Sequence, residues 1–89
     1  MGVNMKKPPE RIYVKVTSDF DSTGYMQPRS ITWKDGRIFK IDAVKDLRPS
    51  SRSERYTVVI KGEERYLFYE RPNDLLPNRF GRWFVECAG

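Results

Sequence analysis

Ile31-Thr32-Trp33-Lys34-Asp35-Gly36-Arg37-Ile38-Phe39-Lys40-Ile41 places two runs of β-branched and aromatic residues on either side of Asp35-Gly36. Asp-Gly between such runs is a strong β-hairpin signal. The apolar faces then select the loop. A two-residue loop sets Trp33 opposite Ile38 and sends Phe39 and Ile41 to the other side. A three-residue loop, Lys34-Asp35-Gly36 with a left-handed Gly36 forming a G1 bulge, pairs Trp33 with Arg37 and Ile31 with Phe39. Ile31, Trp33, Phe39, Ile41 and Ala43 then share one face, so the bulged hairpin is expected, with Trp33 buried among Ile31, Phe39 and Ile41 and the second strand continuing through Val44.

Working outward, Arg11 to Thr17 alternates Ile12, Val14 and Val16 with Tyr13, Lys15 and Thr17, the pattern of a half-buried strand. Ser18 to Gly24 is dense in turn formers and reads as a connection. Lys45 to Arg55 holds Pro49, three serines and alternating charge, and is expected to be a long, mobile, exposed loop. Tyr56 to Ile60 is a strand by composition; Lys61-Gly62-Glu63-Glu64 turns it into a partner strand, Arg65 to Tyr69. That partner carries rings on both faces, Tyr66 and Phe68 on one and Leu67 and Tyr69 on the other. Arg71 to Arg82 has two prolines and a glycine and reads as irregular, with room for one helical turn at Asp74-Leu75-Leu76. Arg82 to Cys87 closes as a last strand.

Five to six short strands with dense turn signals predict an all-β fold, a small SH3-like or OB-like barrel built from two hairpins and a C-terminal strand. Eighty-nine residues make one such domain, expected over 11–88 behind a flexible N-terminal arm over 1–10. No apolar run approaches the roughly 18 residues of a transmembrane helix, and the polar start lacks the apolar stretch of an export signal. With one cysteine, Cys87, no internal disulfide can form, and a cytoplasmic protein is expected.

The residues that carry chemistry point away from catalysis. With no histidine there is no conventional Ser or Cys triad, and the usual zinc sets are lacking. Asp19-Phe20-Asp21-Ser22-Thr23-Gly24 superficially matches an aspartyl-phosphate motif, but that chemistry needs a large α/β fold. It also matches the start of a calcium loop, whose twelfth position is here Ser30 and not a bidentate Glu. It is read as an Asp-rich turn. Glu63-Glu64 is read as solvated charge. No enzyme activity, cofactor or metal is expected.

The basic residues are more suggestive. Lys and Arg number 17 against 12 Asp and Glu, a net charge of +5, and arginine predominates. Arginine is the residue suited to bidentate phosphate contacts. Arg48, Arg52 and Arg55 lie in one expected loop; Arg71, Arg79 and Arg82 lie in or beside another. Tyr56, Tyr66, Tyr69, Phe80 and Trp83 stand close by in sequence, and Tyr69 or Phe80 is expected to stack on a base, the arrangement that single-stranded nucleic-acid binders use. The expected function is therefore a non-catalytic binding module, an accessory protein whose partner is nucleic acid or a nucleic-acid-processing protein. The alternative is a protein-interaction domain without nucleic-acid contact, using Leu75, Leu76 and Phe80. No membrane partner is expected.

The order Pro28-x-x-Ile31-x-Trp33-x-x-Gly36-Arg37-x-Phe39-x-Ile41-x-x-Val44, then Arg55-Tyr56-x-Val58, then Arg82-Trp83-Phe84-Val85-Glu86 resembles a family of small bacterial all-β proteins. They share a W-x-x-G-R hairpin and a terminal R-W-F strand. Some relatives are encoded near translesion polymerase genes, so the resemblance implies a DNA-linked accessory role. It supplies no functional residues to carry across.

Overall fold

Ile12, Val14 and Val16 face inward and Arg11, Tyr13, Lys15 and Thr17 outward along β1, Glu10–Phe20, as the alternation requires. The computed structural model describes residues 9–72 and 81–87, and among these there are seven strands and no helix. After β1 come β2 (Met26–Thr32), β3 (Ile38–Lys40), β4 (Ala43–Pro49), β5 (Ser53–Ile60), β6 (Glu63–Glu70) and β7 (Arg82–Cys87). They form one antiparallel sheet in the order β3-β2-β1-β7-β6-β5-β4, strongly curled into a half-barrel. The small all-β barrel is as expected; the strand count is higher because one strand is split.

At that split the two edges of the curled sheet come together. Ile41 N donates to Arg29 O of β2 and Asp42 N donates to Val59 O of β5, both at 2.8 Å. The chain thus leaves one end of the sheet and joins the other within two residues, so β3 and β4 are halves of a single bent strand. At the opposite side β1 changes partners, pairing with β7 through Glu10–Val14 and with β2 through Lys15–Phe20, with a bulge between Thr17 and Ser18. Thr17 pairs with Ser30 and Ser18 with Pro28, so the extra residue is Arg29, and the bulge bends and twists β2 there.

The first hairpin has the expected loop. Gly36 has φ +92°, Trp33 N donates to Arg37 O at 2.8 Å, Gly36 N donates to Trp33 O at 2.9 Å, and Ile31 pairs with Phe39. Its apolar face is shorter than expected. Ile31 and Ile41 are buried, but Ala43 is exposed and Trp33 only half-buried. The chain bends at Ile41-Asp42, so Ala43 starts a new strand with a new facing. Trp33 stands at the end of β2, at the open mouth of the barrel. The tryptophan of the core is Trp83, 9% exposed, with its ring 5.3 Å from Tyr56 and 4.9 Å from Tyr69. Around it lie Ile31, Ile41, Tyr56, Val58 and Leu67, with Val14, Val16 and Leu47 packed against them.

Other expectations are corrected. Lys45 to Arg55 is not a long loop but the end of β4, a tight turn and the start of β5. Leu47 points to the core between outward Asp46 and Arg48, and an edge strand tolerates Pro49 because its N–H need not join a ladder. The turn itself is tied by Ser50 N donating to Ser53 O at 2.8 Å. Ser18, Asp19 and Phe20 continue β1 rather than connecting it. The second hairpin turns on Lys61-Gly62 alone, both at positive φ (52° and 78°), which leaves Glu63 and Glu64 in β6. The helical turn expected at Asp74-Leu76 lies outside the described residues.

Tyr56, 3% exposed, carries a pH dependence. Burial foremost, then the neighbouring Glu54 carboxylate, pushes its phenol up to about 12. Below the unfolded value near pH 10 both states are protonated and no stability is lost. Between about pH 10 and 12 the unfolded state ionises first, so stability should fall by about 1.4 kcal/mol per pH unit. Urea unfolding of wild type and Tyr56→Phe across pH 8–12 checks this; an equally steep loss in the variant would remove Tyr56 as the cause.

Candidate nucleic-acid interface

The alternation that buries one side of each strand puts the other on the convex outer face. One cross-strand row there runs Tyr13–Phe84–Phe68–Arg55–Arg48, each residue paired with the next. Phe84 and Phe68 stack in parallel at 4.9 Å with 4° between their planes, and Tyr13 meets Phe84 edge-on at 5.6 Å. Phe84 is 1% exposed although it faces away from the barrel interior. Its neighbours and an arginine cover it.

Three guanidinium groups sit on these rings. Arg11 lies 4.5 Å from the centroid of Phe84, Arg82 4.2 Å from Tyr13, and Arg55 4.5 Å from Tyr66. Positive charge over a ring face is held by the ring quadrupole. Glu70 organises two of them: Arg82 donates to its Oε1 at 2.8 Å, and Arg11 and the Tyr13 hydroxyl donate to its Oε2 at 3.4 Å. Arg55 differs. It has no carboxylate within ion-pair distance among the described residues, and its Nε is shielded from solvent with no hydrogen-bond partner there. Arg48 beside it pairs with Asp46 at 3.1 Å. Lys45 is engaged by Glu64, whose hydrogen bond and charge raise the ammonium above its usual range.

The residues picked out in the sequence divide accordingly. Arg48, Arg55 and Arg82 lie on this face. Arg52 is exposed at the β4–β5 turn, where its carbonyl accepts from Arg71 N at 3.0 Å, while Arg71 pairs with Glu54 at 3.6 Å and donates to Ser50 O. The β4–β5 turn therefore abuts Arg71, just after β6. Tyr69 points inward instead, against Trp83 and over Gly81, where a Cβ would strike its ring and the Glu70 carbonyl. Arg79, Phe80, Leu75 and Leu76 lie outside the described residues.

Sequence reasoning missed Arg11, Tyr13, Phe68 and Phe84. The signal was present in the alternation. Each of β1, β6 and β7 has an aromatic residue in the half of its pattern that does not face the core, and three such strands side by side make a surface. Their adjacency was hidden, because β1 and β7 are far apart in the chain.

The Asp19–Gly24 motif makes a hairpin end. Asp21 Oδ1 accepts from Thr23 N at 2.9 Å, Thr23 Oγ1 at 2.5 Å and Tyr25 N at 3.1 Å, and these bonds, the Thr23 hydroxyl first, hold the carboxyl below its usual range. Among the described residues no group of three His, Cys, Asp or Glu converges as a metal site, and no helix is long and apolar enough to cross a membrane. No protein-family model matches the chain, and no curated protein or solved structure is significantly similar to it.

Proposed function

We infer that the protein is a non-catalytic β-barrel binding module that takes single-stranded nucleic acid on its convex face. The observation that carries this reading is the set of guanidinium groups stacked on Phe84, Tyr13 and Tyr66. A guanidinium held over a ring offers its outer face for stacking on a base, and Arg55, with no carboxylate partner among the described residues, offers its terminal N–H groups to phosphate. Tyr66, 54% exposed, adds an accessible ring. A cytoplasmic, DNA-linked accessory role and an SH3-like barrel, as the family resemblance and the strand pattern suggest, fit this reading.

The test is a fluorescence-anisotropy titration with single-stranded DNA, duplex DNA and RNA at several salt concentrations. Single strands should bind most tightly, with affinity falling as salt rises. Arg55→Ala, free of a carboxylate partner among the described residues, should weaken binding to all sequences alike and lower the salt slope by about 0.7–0.9. Tyr66→Ala should cost about 1–3 kcal/mol with little change in slope, because stacking releases few counterions. No salt-dependent binding by the wild type at low ionic strength overturns the reading. The protein-interaction alternative then takes its place, with Leu75, Leu76 and Phe80 the first residues to replace.

A further inference from the structure

The sheet is not paired along its whole length. β6 pairs with β5 at every residue from Glu63 to Glu70, and β7 pairs with β1 over 83–87. Between themselves β6 and β7 pair only at Phe68–Phe84, Tyr69–Trp83 and Glu70–Arg82. Carried further, the register would bring Leu67 to Val85 and Tyr66 to Glu86, and neither pair forms. The two strands therefore diverge past Phe84 and leave a wedge inside the sheet. The two-residue turn at Lys61-Gly62 makes Ile60 and Glu63 a hydrogen-bonded pair. Bonding then alternates, so Glu63, Arg65 and Leu67 bond to β5, while Glu64 and Tyr66 turn their N–H and C=O groups to the wedge. By the same alternation Glu86 turns its own to the wedge from the other side. Among the described residues no main-chain bond outside the ladders takes up these groups.

The wedge opens into a groove of about 430 Å³ at the barrel mouth, with Val58, Ile60 and Tyr66 on one side and Val85 and Cys87 on the other. Charge of both signs stands at its rim. Arg37 is paired with Asp35 and Arg65 with Glu63, while the Lys61 ammonium lies 5.6 Å from the Phe39 centroid on the far wall. Glu86 is exposed and has no cation within ion-pair distance among the described residues. Open sheet edges are normally blunted, as β4 is by Pro49 and by the bulge between Val44 and Asp46. Neither device interrupts 63–67 or 85–87.

We propose that the wedge takes an extended peptide segment of a partner protein, added as a short strand whose main chain bonds to Tyr66 and Glu86. Open N–H and C=O groups on both walls select extended main chain over a compact apolar ligand. In such strand addition the main-chain bonds give affinity and the alternate side chains give specificity. One face of the added strand lays apolar side chains on Val58, Ile60 and Val85. Its alternate residues face outward, where the unpaired Glu86 favours Lys or Arg. The segment recognised is therefore one that alternates apolar and basic residues. A net charge of +5 does not attract such a segment in bulk, so binding depends on the wedge itself. Tyr66 contributes its main chain here and its ring to the nucleic-acid reading, and the two are tested separately.

Amide hydrogen exchange of nucleic-acid-free protein, read by NMR, tests it with a synthetic peptide of about six residues alternating valine and lysine. Without peptide, the Glu64, Tyr66 and Glu86 amides should exchange at least about ten-fold faster than those of Phe68 and Phe84, which the ladder holds. Adding the peptide should slow all three by at least about ten-fold. It should also shield Cys87, the only thiol of the chain, from alkylation by iodoacetamide. The same peptide N-methylated at every residue lacks main-chain donors and should do neither. Glu86→Lys, at an exposed position, should weaken the peptide about five-fold, the upper range for an exposed ion pair. Tyr66 and Glu86 amides as protected in the free protein as those of Phe68 and Phe84 overturn the proposal. So does a peptide that protects no amide of the wedge, or an N-methylated peptide that binds equally well. None of these readouts depends on nucleic acid.

Discussion

Trp83→Ala should lower the unfolding free energy by about 3–5 kcal/mol, a large part of the stability of a domain this small. The indole is 9% exposed, lies between Tyr56 and Tyr69, and sits on the strand that joins β1 to β6, so truncation leaves a cavity that neither neighbour can fill without leaving its own strand. Trp33→Ala should cost clearly less, about 1–2 kcal/mol, because a half-buried ring at the barrel mouth gives up less apolar contact. Urea unfolding followed by circular dichroism, with unchanged m-values, measures both. A larger loss at Trp33 than at Trp83 would show that the core has been placed at the wrong end of the barrel.

Phe84→Ala should be nearly as damaging, about 3–5 kcal/mol, although the residue points away from the barrel interior. Outward substitutions on a sheet are usually within about 0.5 kcal/mol. Phe84 departs from that because Phe68, Tyr13 and the Arg11 guanidinium leave it 1% exposed, making a second, smaller apolar cluster on the convex face. Denaturant unfolding gives the cost. The upfield ring-current shift of the Arg11 side-chain protons should vanish in the same variant. A loss under about 1 kcal/mol would mean that the convex face is an ordinary solvated surface. Since Phe84 supports the rings around it, Arg55 and Tyr66 are the cleaner sites for testing binding.

The strands legible in the sequence were those whose apolar residues alternate without interruption: the first half of β1, the Trp33–Arg37 hairpin, β5, β6 and β7. Lys45 to Arg55 was misread because its polarity, its proline and its serines are those of a loop. Only one of its side chains, Leu47, packs inward, and one apolar residue among charges carries no visible period. The candidate site was legible in kind but not in place. Arginine beside aromatic rings was expected and is found on the convex face, yet proximity along the chain selected Tyr69, which its own strand turns into the core.

The sequence by itself determined that this chain is a small β protein, where its main hairpin turns and which side of most strands is apolar. These depend on local sterics and on a two-residue period, and both are written in neighbouring residues. Tertiary structure alone decided that β1 lies beside β7, that the strand from Ile38 to Pro49 bends at Ile41-Asp42 from one sheet edge to the other, and that Trp83 rather than Trp33 is buried. It also decided that Arg11, Arg55 and Arg82 come to rest on the rings of Phe84, Tyr66 and Tyr13. The reason is that these relations join residues distant in the chain, and only strand register and sheet curvature bring them within reach.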